Sequence, residues 1–419
     1  MQKFTAALAA AGVSIAAAFA MPASGEARWH PHPSWPRPEW PVPPLQPAPP
    51  ADPAPPSSDP APPPSSDPTP PPSSDPTPPP SSDPTPPSSD PAPPPSSDPT
   101  PPPADPTPAP AADTLGRPYS DASPFNTPIP SDVRVLDNSS TIVANSYLGT
   151  TPSPMRVSAS PSVDYSHPIF YAKSGDPSYT IRCNSGGITG MVIQIPAGAR
   201  PTTSSDGHMA IVQPDGWEYD LWQAQTPSAG TVRCNIGYRQ RYDGLGIVTA
   251  DMKRQDPSLG GGTASYFGEA AGLIRANEIQ AGVIPHALFL VIKSGSSGSV
   301  YPAYKADATG NQNGPPMGQR FRLNMSDAAI DASCAPGWEK TVAKAMAHYG
   351  LYFGDTGGSG FSPMMESALT YTAVGQSNPW DAVAAQYGIK QDPSYGYVFR
   401  WSGCIDYGAA MQAIAPPAA

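Results

Sequence analysis

The sequence predicts a mostly β protein: an antiparallel β-sandwich or jelly roll with a few peripheral helices near the C-terminus, preceded by a disordered proline-rich spacer. Three observations predict it. Short β-branched or aromatic runs, among them GITGMVIQI, HMAIVQ, WEYDLWQ, GTVRCNIGY, GLGIVTA and HALFLVI, are separated by Gly, Pro, Ser and Asp clusters. Helical periodicity is confined to the last third of the chain. Ahead of both lies a tract from Trp29 to about Asp113 dominated by Pro, Ser, Asp, Thr and Ala.

The elements follow in order. Residues 1–27 carry Lys3, an apolar stretch from Phe4 to Ala20 and small residues thereafter, the pattern of an export signal rather than a membrane span. The rest of the chain is therefore expected outside the cell, secreted or associated with the cell surface. Residues 28–113 repeat S-S-D-P at 57, 65, 73, 81, 88 and 96 and hold too little apolar surface for a core. Such a spacer is PPII-biased, with a reach of roughly 200 Å at about 3.1 Å per extended residue. Residues 114–419 are expected to form a single domain. Within it, PGWEKTVAKAMAHYG places Trp338, Val342, Ala345 and Tyr349 on one helical stripe ending at Gly350. In NPWDAVAAQYG, Asn378 reads as an N-cap, Pro379 as the first helical residue and Gly388 as the stop.

An exported chain uses cysteine for disulfides, and four cysteines allow three pairings. Cys183 with Cys234 and Cys334 with Cys404 are the expected pairs, since each closes a local loop. No C-x-x-C spacing is present to suggest a zinc ribbon. Charge divides unevenly. Residues 1–113 hold 11 of the 34 acidic and 3 of the 23 basic residues, leaving the domain 23 acidic and 20 basic, a net of −3. That balance gives no basic footprint for nucleic acid. G-x-S-x-G, H-E-x-x-H and P-loop patterns are absent too, which removes the motif basis for serine-hydrolase, zincin and nucleotide readings.

The stretch SSDGHMAIVQPDGWEYDLWQA, residues 204–224, is the most informative. Pro214-Asp215-Gly216 suits a three-residue hairpin loop, a type I turn followed by a left-handed Gly. Loop length sets register: Val212 opposes Glu218, Ala210 opposes Asp220, and His208 opposes Trp222. One face then carries Met209, Ile211, Trp217, Tyr219 and Leu221, the core side, and the other carries His208, Ala210, Val212, Glu218, Asp220 and Trp222. Carboxylates beside an aromatic platform suit a carbohydrate site, because glycosidic cleavage needs an acid at the leaving oxygen and a base or nucleophile opposite. An ordinary solvated face accounts for any one of these residues singly.

A second constellation lies in NEIQAGVIPHALFLVIK, residues 277–293. Asn277 reads as the N-cap of one helical turn ending at Gly282, which puts Glu278 at the positive end of the helix dipole. His286 opens a strand whose alternation sets Leu288, Leu290 and Ile292 against Ala287, Phe289 and Val291, apolar on both sides and hence interior. The hairpin face and the mouth of this strand are two places where ionisable groups adjoin buried sheet. Together they predict one cleft shared by Asp206, His208, Asp220, Trp222, Glu278 and His286. A Glu and His that merely tie a turn to a strand are the plainer reading.

The stretches SPFNTPI, SDGHMAIV, YDLWQA, AGLIRANEIQAGVIPHAL, PPMGQRFRL and YGLYFGDTGG resemble a family of uncharacterised secreted bacterial proteins. The resemblance implies functional roles for Asp206, His208, Asp220, Glu278 and His286, and for an Asp followed two residues later by Gly, here Asp355 and Gly357. It implies no reaction. After Asp355 the continuation TGGSGFSPMMES departs from the family pattern.

Three function classes survive. A glycan-cleaving hydrolase would use Asp220 and Glu278 as its carboxylates, with Asp206 or Asp355 tuning them and Trp222 and Glu218 contacting the sugar. A polysaccharide lyase would use His208 or His286 with a tyrosine to abstract a proton beside a uronate carboxyl. A non-catalytic cell-wall or glycan-binding module would suit a domain displayed on a long spacer, with Trp29, Trp35 and Trp40 as further contacts. The expected partner in each case is a polysaccharide or cell-wall glycan met by a monomeric chain, with no cofactor required. Asp206, His208, Glu278 and His286 have chemistry acceptable to a metal ion, but no local spacing demands one.

Overall fold

The computed structural model describes residues 116–146, 152–157, 164–307, 310–357 and 360–416; the expected signal and spacer lie outside the described residues. In chain order the strands are β1 (Met155–Val157), β2 (Ile169–Tyr171), β3 (Ser178–Ser185), β4 (Val192–Gln194), β5 (Met209–Val212), β6 (Trp217–Trp222) and β7 (Thr231–Arg241). They continue as β8 (Leu288–Ile292), β9 (Arg320–Leu323), β10 (Leu351–Thr356), β11 (Ser362–Pro363), β12 (Gln391–Asp392), β13 (Gly396–Phe399) and β14 (Met411–Ile414). Three sheets result, in the orders β2-β5-β6-β7-β3-β4, β11-β8-β10-β9-β14 and β1-β13-β12, and the helices between them are short. The protein is thus mostly strands with few helices. The sheets are mixed: β2 with β5, β3 with β7, and β8 with β10 run parallel, contrary to the antiparallel expectation. In each case the intervening chain is long enough to return in the same direction, for β8 and β10 by way of β9 and the helix Gly337–His348.

The hairpin between β5 and β6 forms as the turn chemistry dictates. Gly216 takes a φ of 83°, its N–H donates to Gln213 O at 3.0 Å, and the register pairs Val212 with Glu218 and Ala210 with Asp220. The two faces separate as expected, yet neither is solvated. Met209, Ile211, Tyr219 and Leu221 pack with Phe170, Ile181 and Val232 on one side. Ala210 and Val212 on the other face pack with Phe125, Phe289 and Tyr352, joining the two larger sheets through one core. Glu218 and Asp220 are consequently fully buried.

Strand β8 is interior, between β11 and β10. Its Ala287, Phe289 and Val291 side meets the core shared with the six-stranded sheet, and its Leu288, Leu290 and Ile292 side meets a second core under the helix Gly337–His348. That helix is not peripheral: Trp338, Val342, Ala345 and Met346 are buried against Phe321, Leu323 and Leu351. The helix Trp380–Tyr387 starts one residue later than expected. Asn378 Oδ1 still accepts from Trp380 N at 3.1 Å, and Gly388 ends the helix in the left-handed region. GLGIVTA is no strand. Gly246 turns the chain at a φ of 69°, and Thr249 caps the helix Ala250–Gln255 by accepting from Met252 N. Its Ile247 is buried from a turn, so apolarity alone misled. Both disulfides form as paired from the sequence, and Cys183 and Cys234 sit directly opposite each other on β3 and β7.

Candidate active site

A cavity of about 570 Å³ opens where the end of the β5–β6 hairpin, the glycine-rich loop 260–262, the end of β10 and the segment leading into β2 converge. Four sequence-predicted residues line it: Asp206, His208, Trp222 and Asp355. Asp164, His167, Tyr266, Lys305 and Asp307, which the sequence reading did not single out, line it too.

Local backbone features aim these groups. The β8–β10 register slips between Phe353 and Asp355, a bulge at Gly354 that re-aims the strand end. Asp355 is then held by two backbone donors, Thr356 N to Oδ1 at 2.7 Å and Ala264 N to Oδ2 at 3.3 Å. Burial, aided by the neighbouring charge of Asp307, still pushes its carboxyl up to about 6. Asp164 accepts from Ser166 N, Ser166 Oγ and Ser367 Oγ, and burial likewise raises it to about 6. Tyr266 holds a left-handed φ of 64°, unusual for a bulky residue and a mark of local constraint. Its ring stacks on Tyr304 at 5.6 Å and its hydroxyl meets that of Tyr238 at 2.7 Å.

At the cavity floor, Glu269 bridges two imidazoles. Its Oε1 lies 2.7 Å from His208 Nδ1 and its Oε2 lies 2.8 Å from His167 Nδ1, and all three side chains are buried. Burial alone would raise Glu269, but the two histidines override it and hold the carboxylate well below its usual range. Burial likewise opposes charge on His208, and Glu269 reverses this, pushing it up to about 9. The loop backbone makes the approach feasible: a Cβ on Gly262 would sit 2.2 Å from Glu269 Oε1. Two imidazole nitrogens, Nδ1 of each ring, therefore face the carboxylate.

Asp220 and Glu218 lie beneath this floor and do not line the cavity. Asp220 Oδ2 accepts from the backbone N–H groups of Gly262 and Glu269, both at 3.2 Å, so it anchors the loop that carries Glu269. Burial, then the charges of Glu218 and Glu269, push the Asp220 carboxyl well up. Glu218 accepts from Tyr119 OH and Ala270 N, and burial raises it to about 7.

The structure does not bring Glu278 and His286 into the cavity. Glu278 is the third residue of the helix Ala276–Ala281, whose N-cap is Arg275 and not Asn277. Its oxygens are taken by Arg275 Nη2 at 2.6 Å, Arg275 N at 2.9 Å and His286 Nε2 at 2.8 Å. His286 Nδ1 meets Ala287 O at 2.9 Å. With both ring nitrogens and both carboxylate oxygens occupied by the protein, the pair ties the helix to β8. The shared cleft of six residues expected from the sequence reduces to Asp206, His208 and Trp222, joined by Asp355.

His167 and Glu269 carried a weak signal. Asp164-x-x-His167 opens an apolar strand in the manner of Asp206-x-His208, but only the tertiary fold sets Glu269 between them. No protein-family pattern matches this chain, and neither a characterised protein nor a solved structure is detectably similar to it.

Proposed function

We propose that this chain is a secreted glycan-active hydrolase in which Asp355 is the proton donor, Asp206 the second carboxylate and Trp222 the platform for a sugar ring. The observation that carries the reading is the raised carboxyl of Asp355, about 6, in a cavity it shares with Asp206 and an indole. A general acid must hold its proton near neutral pH, and burial beside another carboxylate achieves that. The stacked Tyr266 and Tyr304 extend the aromatic surface near the cavity. Relative to the sequence-based assignment, the catalytic pair moves from Asp220 and Glu278 to Asp355 and Asp206, because Glu278 is taken by protein donors and Asp220 is buried outside the cavity lining. Secretion is supported by the two disulfides and the signal-like N-terminus; among the described residues no helix is long and apolar enough to cross a membrane. The reading takes the two larger sheets, with their common core, as a sandwich-type body.

A second reading, a polysaccharide lyase, draws on one specific observation. His208 and His167 are oriented by Glu269 through Nδ1, and Lys305 at the same cavity offers a cation to a uronate carboxylate. The cavity's four aspartates weigh against an anionic polymer. Incubation with a panel of neutral and acidic cell-wall and plant glycans separates the readings. A hydrolase releases reducing ends without ultraviolet-absorbing product, a lyase releases unsaturated uronates, and a binding module retains polymer without cleaving it.

A further inference from the structure

We infer that His167, His208 and Glu269 form a binding site for a divalent transition metal of the zinc class. The site goes beyond the glycan reading and does not rest on it. One ligand atom from each residue, two imidazole nitrogens and a carboxylate oxygen, lies within 4.8 Å of the others. Two imidazoles and one carboxylate around an open position are a donor set that zinc uses where it also holds water or substrate, and here the open side is the cavity that both histidines line. A second observation points the same way: Glu269 Oε2 is fully buried and its contact is the 2.8 Å ion pair with His167 Nδ1, which lacks the alignment of a hydrogen bond. A buried carboxylate oxygen whose partner is poorly aligned is one that a cation would satisfy better.

Metal–ligand bonds of about 2.0–2.1 Å in a tetrahedral site separate neighbouring donors by ~3.3 Å. His208 Nδ1 now lies 2.7 Å from Glu269 Oε1 and His167 Nδ1 lies 2.8 Å from Oε2, so the rings would open by about half an ångström around a carboxylate that turns to present one oxygen. The carboxylate is already set by the Gly262 loop, whose N–H and that of Glu269 are pinned by Asp220. A bound cation would hold a water or a sugar hydroxyl at the cavity floor.

The test uses the full chain after dialysis against a chelator, titrated with zinc chloride by calorimetry and with cobalt chloride by visible absorption. The expected result is one equivalent bound, and a loss of affinity of more than ~100-fold in His167→Asn and Glu269→Gln, since even outer partners of a ligand cost about 10–100-fold. His286→Gln and the doubly substituted His30→Ala, His32→Ala chain should bind as the parent does. Should the site variants not fold, zinc-soaked crystals of the parent decide: an anomalous peak within bonding distance of all three side chains supports the site. No stoichiometric binding, or binding that follows His30 and His32, overturns it.

Discussion

Half-buried Asp355 and fully buried Glu278 are both acids beside positive groups, yet they hold their protons oppositely, and the difference is in the contacts. Asp355 has two backbone donors but also Asp307 nearby, and burial leaves it at about 6. On the hydrolase reading its protonated form is the active one, so kcat/KM should fall as pH rises through about 6. Asp355→Asn should lower kcat by ~10²–10⁴, the usual contribution of a general acid. A cation at His167 and His208 lowers that apparent value, so profiles with and without chelator should differ. Trp222→Ala should raise KM more than it lowers kcat, because stacking acts on bound sugar before and during reaction alike.

Burial opposes charge on Glu278 as well, but His286 and Arg275 outweigh it and lower the carboxyl to about 2 from an ordinary 4.5. A lowered acid contributes stability that is present above about 4.5 and is lost as pH falls toward 2. Glu278→Gln should therefore flatten the acid limb of a stability profile. At neutral pH it should cost about 3–5 kcal/mol, seen as a lower Tm, because Arg275 stays buried without its counter-charge. A catalytic Glu278 would give the reverse pattern, lost turnover with an unchanged Tm. His208 and Trp222, which line the cavity, were legible from one hairpin, and Asp206 and Asp355 from the family resemblance. Glu269 was not, because it meets His208 across 61 positions of sequence and no local pattern encodes that distance.

Elements carried their own information where turn chemistry and register were explicit. Pro214-Asp215-Gly216 set the hairpin, hence which side chains share a face, and β8 alternated between two cores as its sequence alternates. What failed was the inference from face to environment. A strand pair with carboxylates on one face reads as half-solvated, but a second sheet covers that face and buries Glu218 and Asp220 with raised carboxyls. The parallel pairings were equally hidden, since a strand's sequence does not state its neighbour's direction. At this scale the loop 260–262 is the sensitive element. Gly262→Ala would press a methyl against Glu269 Oε1, 2.2 Å from the built position. It should lower stability by about 1–3 kcal/mol, as overpacking does, and weaken zinc binding in the same calorimetric titration. An unchanged Tm with unchanged zinc affinity would mean that the loop does not position Glu269.

For the whole molecule, the composition changes near residue 113 from a Pro-, Ser- and Asp-rich tract to a sequence whose described residues pack into several cores. Deleting residues 28–113 should leave the domain's Tm nearly unchanged in a thermal melt. The disulfides Cys183–Cys234 and Cys334–Cys404 close loops of 51 and 70 residues within that domain, each worth about 4 kcal/mol in the chain-entropy model. The two larger sheets meet at a cavity where the raised carboxyl of Asp355, Asp206 and the Trp222 indole stand together. The most direct test of that assignment is oligosaccharide release from a glycan panel by the parent chain and Asp355→Asn side by side, with thermal melts to show that both are folded. The account predicts new reducing ends from the parent and almost none from the equally stable variant. Equal release by the two proteins, or none by the parent on any glycan, would contradict it.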